Sequence, residues 1–295
     1  MAGVVALGLA GLLGGVAVPR LWRSNRAAAV AGVLLAIVVI LAVAAPVITP
    51  YGPDESNYDA LRQPPSPAHW LGTDNLGRDI LTRVIYGARI SLQVAGLAVS
   101  AALFAGALLG IVAGYFGGWL DEGLSRIVDT LFAFPDIVLA LVIVAVLGGG
   151  EGTQANLTLA IAVVYTPIFA RIARGAVLAV KGQPFIEAAR SLGLGHTRII
   201  LRHITPNILA PLTVQVTLSL AFAILAEAAL SFLGLGVEQG KPSWGRMLLQ
   251  GRDLMPDVWW LAVFPGIAIT LTVLSFNVLG DGLRDALDPR HSRSR

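Results

Sequence analysis

The sequence predicts an all-α protein that crosses a membrane about six times, and three observations carry that reading. Of 295 residues, 56% are hydrophobic and 13% are charged, against roughly 25% charged in an average soluble chain. Mean hydropathy is +0.75, with the apolar residues gathered into runs of the length a helix needs to cross hydrocarbon, about 20 residues. Finally, the basic residues cluster beside alternate run ends. Only helices or closed barrels satisfy their backbone polar groups inside a bilayer, and continuous apolar runs mean helices.

Residues 1–26 form a lead-in. Ala2–Val18 is uncharged and carries five glycines, with Arg20, Arg23 and Arg26 after it. This segment suits a short extra span, an interfacial helix or a signal sequence, although a signal peptide places its basic residues ahead of the apolar core. The membrane domain is expected over residues 27–290. Its first span is Ala27–Ile48, free of charge, followed by an outer segment at 49–90. The second span is Ser91–Phe116. Asp136–Leu147 is too short for a third unless its helix begins before Pro135, within Ile127–Phe134. The fourth is Leu157–Val180, the fifth Ile208–Leu233 and the sixth Trp259–Leu279, with Trp259 and Trp260 as an interfacial aromatic anchor. A basic tail, 291–295, ends the chain.

Basic residues near span ends mark the cytoplasmic side. Six spans place Arg20, Arg23 and Arg26 there, together with the group from Arg171 to Arg202 and the group from Arg284 to Arg295. The opposite side receives 49–90 and 234–258. In the outer segment four arginines face five acids, and Arg78 and Asp79 suit either a tie to the spans or a contact for another protein.

The usual catalytic signatures are missing from the sequence. It has no G-x-x-x-x-G-K-[ST] phosphate loop, no H-E-x-x-H and no G-x-S-x-G. Without cysteine there is no disulfide, thiolate metal site or cysteine nucleophile. His196 and His203 share a segment but lack a carboxylate partner, a poor zinc pair. The chain is expected to be no enzyme and to hold no metal or cofactor. Glu227, deep in an apolar run, is the one clear ionisable group there. It reads either as a group lining a substrate path or as a carboxylate buried between helices.

The most informative stretch is 181–207, KGQPFIEAARSLGLGHTRIILRHITPN. Phe185, Ala188, Ala189 and Leu192 recur at helical spacing as one apolar strip, with Glu187, Arg190 and Ser191 towards the other side. Gly193 and Gly195 break the helix, a second amphipathic stretch follows, and Pro206 is expected to end it ahead of the fifth span. Such a protrusion suits either a partner's groove or a membrane interface.

Glu187-Ala188-Ala189, then Gly193 and Pro206, resemble the EAA loop (here 181–206) of bacterial ABC-transporter permeases, with His203 and Thr205 departing from the usual isoleucine and leucine. HWLGTDNLGRDILTRVIYGARISL at 69–92, LSFLGLGVEQGKPSWG at 230–245 and NVLGDGLRDALDPR at 277–290 resemble the dipeptide/oligopeptide/nickel permease family, in the order of its C-type subunit.

The resemblance implies a type I importer permease in the bacterial inner membrane. It implies a second, B-type permease subunit, two ATPase subunits that bind ATP and Mg, and an extracytoplasmic solute-binding protein; no nucleic acid is expected. It also implies that Phe185, Glu187, Ala188, Ala189, Arg190 and Gly193 couple the chain to an ATPase. Peptides are the expected cargo. Nickel complexes, haem or another peptide-sized solute stay open, and so does, beyond the family, an ion-coupled secondary carrier.

Overall fold

The computed structural model describes residues 26–148, 154–238, 240–255 and 257–287. The expectations for 2–18, for the first basic cluster before Arg26 and for the tail 291–295 fall outside the described residues. Among those described, ten α-helices and no strand are present, with one isolated bridge between Thr73 and Asp79. The helices are α1 (Arg26–Ile48), α2 (Ile80–Phe116), α3 (Gly118–Phe132), α4 (Asp136–Gly148), α5 (Gln154–Lys181), α6 (Pro184–Ser191), α7 (His196–Ile199), α8 (Thr205–Phe232), α9 (Trp244–Arg252) and α10 (Trp260–Leu287). Five continuous helical runs are long and apolar enough to span a membrane, and α3 with α4 completes a sixth as a bent pair.

The most extensive pairing in the fold is between α2 and α5. Its cause is a row of glycines one helical turn apart, Gly106, Gly110 and Gly114, facing Phe169, Ala170, Ala173 and Val177. A Cβ at Gly106 would stand 2.5 Å from the Thr166 carbonyl oxygen, and one at Gly110 would overlap that of Ala170. Lipid gives helices no hydrophobic reason to associate, so close backbone approach through small residues supplies the contact. α8 packs on α10, α2 and α5, and α1 closes against α10 and α2.

Several boundaries differ from the expectation, three of them for a plain local reason. The second span starts eleven residues early, at Ile80, because Asp79 caps it: the Thr82 N–H donates to Asp79 Oδ2 at 2.8 Å. At 37 residues, α2 is about 55 Å long, so it reaches well beyond a hydrocarbon core of about 30 Å. The third span is not one helix: α3 and α4 meet at 95°. Pro135 offers no N–H and pushes Phe134 out of the helical region, while the Leu139 N–H restarts the ladder on the Pro135 carbonyl at 2.9 Å.

Pro206 does not end the segment before the fifth span. A π-helical stretch, Ile200–Ile204, carries α7 into α8. The Thr205 N–H reaches the Ile200 carbonyl, and Pro206 falls in the first turn of α8, where a missing N–H costs nothing. The sixth span continues eight residues past Leu279 to Leu287.

Gly117 and Gly118, both at positive φ (69° and 58°), reverse the chain between α2 and α3. On the opposite side the outer segment is locked to the helices. Arg78 and Asp79 are buried, and Arg78 Nε bonds Asp74 Oδ2 at 2.7 Å. The Arg83 side chain is 1% exposed. It donates to the Pro53 carbonyl at 2.8 Å and to Gln250 of α9 at 3.5 Å. These residues tie the outer segment to the spans.

Candidate coupling surface

α6 opens on Pro184, pre-set for the first helical position, after Gln183 in extended backbone. It closes in a glycine turn. Gly193 has φ +78°, its N–H meets the Arg190 carbonyl at 2.9 Å and the Leu194 N–H meets that of Ala189 at 3.2 Å. This paired closure needs a left-handed residue, which glycine supplies without a Cβ penalty.

The apolar arc of α6 is split rather than uniform. Ile186 and Ala189 are buried in the main core with Ile199 and Ile204. Phe185 (44% exposed), Ala188 and Leu192 (80% exposed) stand open on the adjoining side. The expected single strip is corrected accordingly: Ala189 faces inward with Ile186, which the strip had omitted. Glu187, Arg190 and Gly193 are exposed beside the open apolar face.

The same segment is fastened to the end of α2. Tyr115 is buried, with its Oη 2.9 Å from His196 Nδ1 in hydrogen-bond contact. Arg190 stacks over the Tyr115 ring at 5.7 Å and Lys181 Nζ lies 5.9 Å from it. Tyr115 and His196 carried no motif that marked them, since they are 81 residues apart.

Glu227 stands elsewhere. It lies 22 residues into α8 from Thr205, about 33 Å along the axis from the α6 side. Its side chain is fully buried, accepting from Ser91 Oγ of α2 and Ser231 Oγ of α8, each at 2.7 Å. The Trp244 N–H of α9 reaches the same Ser91 hydroxyl at 3.4 Å. The structure thus brings Phe185, Glu187, Ala188, Arg190 and Gly193 to one surface and leaves Glu227 in a separate junction of three helices. Among the described residues no cluster of three or more histidine, aspartate or glutamate side chains is arranged to hold a metal.

Known proteins share the sequence and the fold of this chain. The family model described as binding-protein-dependent transport system inner membrane component matches residues 106–293. The N-terminal TM domain of oligopeptide transport permease C matches 18–65. The dipeptide transport system permease protein DppC of Alkalihalophilus pseudofirmus is 47% identical over 268 residues, covering 91% of this chain and 87% of that one. The glutathione transport system permease protein GsiD of Pectobacterium atrosepticum is 43% identical, covering 91% and 90%. Among solved structures, a chain of the inward-facing MetNI methionine ABC transporter superposes with a TM-score of 0.58 at 19% identity, covering 71% of this chain and 98% of that one. A chain of an amino acid ABC transporter crystallised with histidines gives 0.55 at 18% identity, covering 70% and 95%. The apolar helices, the fold they build and the matched sequence agree, and the chain belongs to the inner membrane components of binding-protein-dependent transport systems, a multi-pass permease of the ABC importer type.

Proposed function

We propose that this chain is the C-type permease subunit of a peptide importer, paired with a B-type permease and seated on two ATPase subunits that hold ATP and Mg. An extracytoplasmic solute-binding protein delivers the cargo. The printed names of the relatives support a peptide-sized cargo, dipeptides in one and glutathione in another. The observation that carries the coupling role is the divided arc of α6. Ile186 and Ala189 fasten the helix to the body while Phe185, Ala188 and Leu192 stay open for a groove.

A ligand shifts a two-state equilibrium only through contacts that differ between the states. ATP-driven closure of the ATPase pair therefore needs a rigid element to push. α6 is such an element, held by its closing turn at Gly193 and by the contacts of Arg190 and His196 with Tyr115. Force on α6 passes into α2 through Tyr115 and into α8 through the unbroken run from α7. Glu227 is read as a packing carboxylate of the α2–α8–α9 junction, not as part of the path.

The test is reconstitution of the purified complex with its solute-binding protein. Wild type should take up peptide in step with ATP hydrolysis. In Gly193→Val the left-handed turn is strained, although nothing lies within 4 Å to clash. The variant should assemble with its ATPase subunits yet lose about tenfold or more in uptake per ATP, the size of an ordinary coupling energy. Wild-type uptake per ATP in an assembled Gly193→Val complex would remove α6 from the coupling role.

A further inference from the structure

A charged cleft lies where α2, α3 and α5 meet. It has a volume of about 240 Å³, and its lining includes Gly110, Ser125, Val128, Asp129, Arg171 and Arg174. Arg174 pairs with Asp121 through two hydrogen bonds, Nη2 to Oδ2 at 2.7 Å. Arg171 Nη2 bonds Asp129 Oδ1 at 2.8 Å, and its guanidinium lies 4.1 Å over the Phe132 ring. This second pair is open: the side chains of Arg171 and Asp129 are 58% and 64% exposed. Glu122 and Arg126, 76% and 81% exposed, continue the charged side of α3.

The position of these groups is what gives them meaning. A span of about 20 residues counted from the first apolar residue of α5, Leu157, contains both Arg171 and Arg174. Of the basic group expected on the cytoplasmic side, Arg171 is the deepest: it lies ten residues from Lys181, about 15 Å along the helix from its inner end. Charged side chains do not face lipid tails at such depth; they face protein or a water-filled cavity. The 95° bend at Pro135 exposes Phe134 just beyond the pair, and α3 leads into that bend from Asp129. Broken helices are tolerated in membranes where they are buried in protein or line such a cavity.

We propose that the α2–α3–α5 cleft lines the translocation path and that Arg171 takes the carboxylate of a passing solute, exchanging it with Asp129. The inference rests on the peptide-importer reading above and adds the contact point to it. A guanidinium offers a planar fork to a carboxylate, and Arg171 is already stacked on Phe132 with its charge half open to an incoming anion. Arg174 is more enclosed (39% exposed), with both of its hydrogen bonds committed to Asp121, so it holds α3 on α5.

The two partners of the open pair separate this role from a structural one. In proteoliposomes carrying the full complex, with dialanine as the probe, Arg171→Gln should raise the KM for uptake about tenfold, the loss of one charge-assisted hydrogen bond. Asp129→Asn leaves Arg171 without its internal competitor and should leave that KM unchanged or lower it. Equal KM increases in both variants, or none in Arg171→Gln, would overturn the proposal.

The chain has no cysteine, so a single Phe134→Cys is its one thiol, and the unsubstituted complex gives the labelling background of the other subunits. A water-soluble thiol reagent should modify it in the nucleotide-free complex and at a clearly different rate after vanadate trapping. An unreactive thiol, or one indifferent to nucleotide, would also overturn the proposal. A complex that hydrolyses ATP but takes up neither dialanine nor glutathione refutes the cargo reading instead, and the labelling experiment still decides whether the cleft is on the path.

Discussion

Glu227 offers the sharpest test at the scale of one residue. Two serine hydroxyls, from α2 and from α8, donate to a carboxylate that no solvent reaches. Glu227→Leu leaves both hydroxyls without their acceptor, at a cost of about 1–3 kcal/mol for each buried group left unpaired. Glu227→Gln keeps one carbonyl acceptor and should cost less. Thermal unfolding of the detergent-purified complex should rank wild type above Gln and Gln above Leu, and a Leu variant as stable as wild type would contradict the packing role. A lone acid in an apolar run was visible in the sequence as a special residue. Its partners were not, because Ser91 is 136 residues away and a serine in a span carries no mark. Arg83 was visible in the same limited way, as a charge whose partners Pro53 and Gln250 only the fold brings together.

At the scale of elements, the glycine row of α2 makes the next prediction. A side chain at Gly110 would overlap the Ala170 carbonyl oxygen and press on Ala173. Gly110→Leu should therefore force α2 and α5 apart, costing about 1–3 kcal/mol as overpacking does. Size-exclusion of the purified complex should show aggregation or loss of subunits; an intact, monodisperse complex would mean that the helices do not depend on this contact.

Apolar runs made the existence of the spans legible, but not all their ends. Ile80–Ile90 carries Arg83 and Arg89 and so reads as loop by hydropathy, yet the Asp79 cap starts a helix there. Gly106, Gly110 and Gly114 are spaced by four in the sequence, but the helix they face became legible only in the fold. The 95° bend and the π-helical turn at Ile200–Ile204 were not legible in the sequence. Both depend on how a proline is accommodated, which composition does not report.

For the whole molecule, α2 is the connecting rod. It begins in the buried ionic cluster around Asp74, Arg78 and Arg83 and ends at Tyr115 beside α6, a distance of about 55 Å. α5 lies along it through the glycine row, and the charged cleft opens between them and α3. One pair of helices thus joins the outer face, the cleft and the candidate coupling surface. The EAA-like spacing marked that segment in the sequence. Which of its residues turn outward became legible only when Ile186 and Ala189 were seen to be buried.

The most direct measurement is site-specific photo-crosslinking in the native membrane, with a benzophenone amino acid at Phe185 and, for comparison, at Leu159 on the exposed side of α5. A docking role for α6 predicts a product between position 185 and an ATPase subunit, enriched when nucleotide is trapped, and none of that kind from position 159. With the ATPase subunits present, cross-links from position 185 only to lipid or to another permease would contradict it.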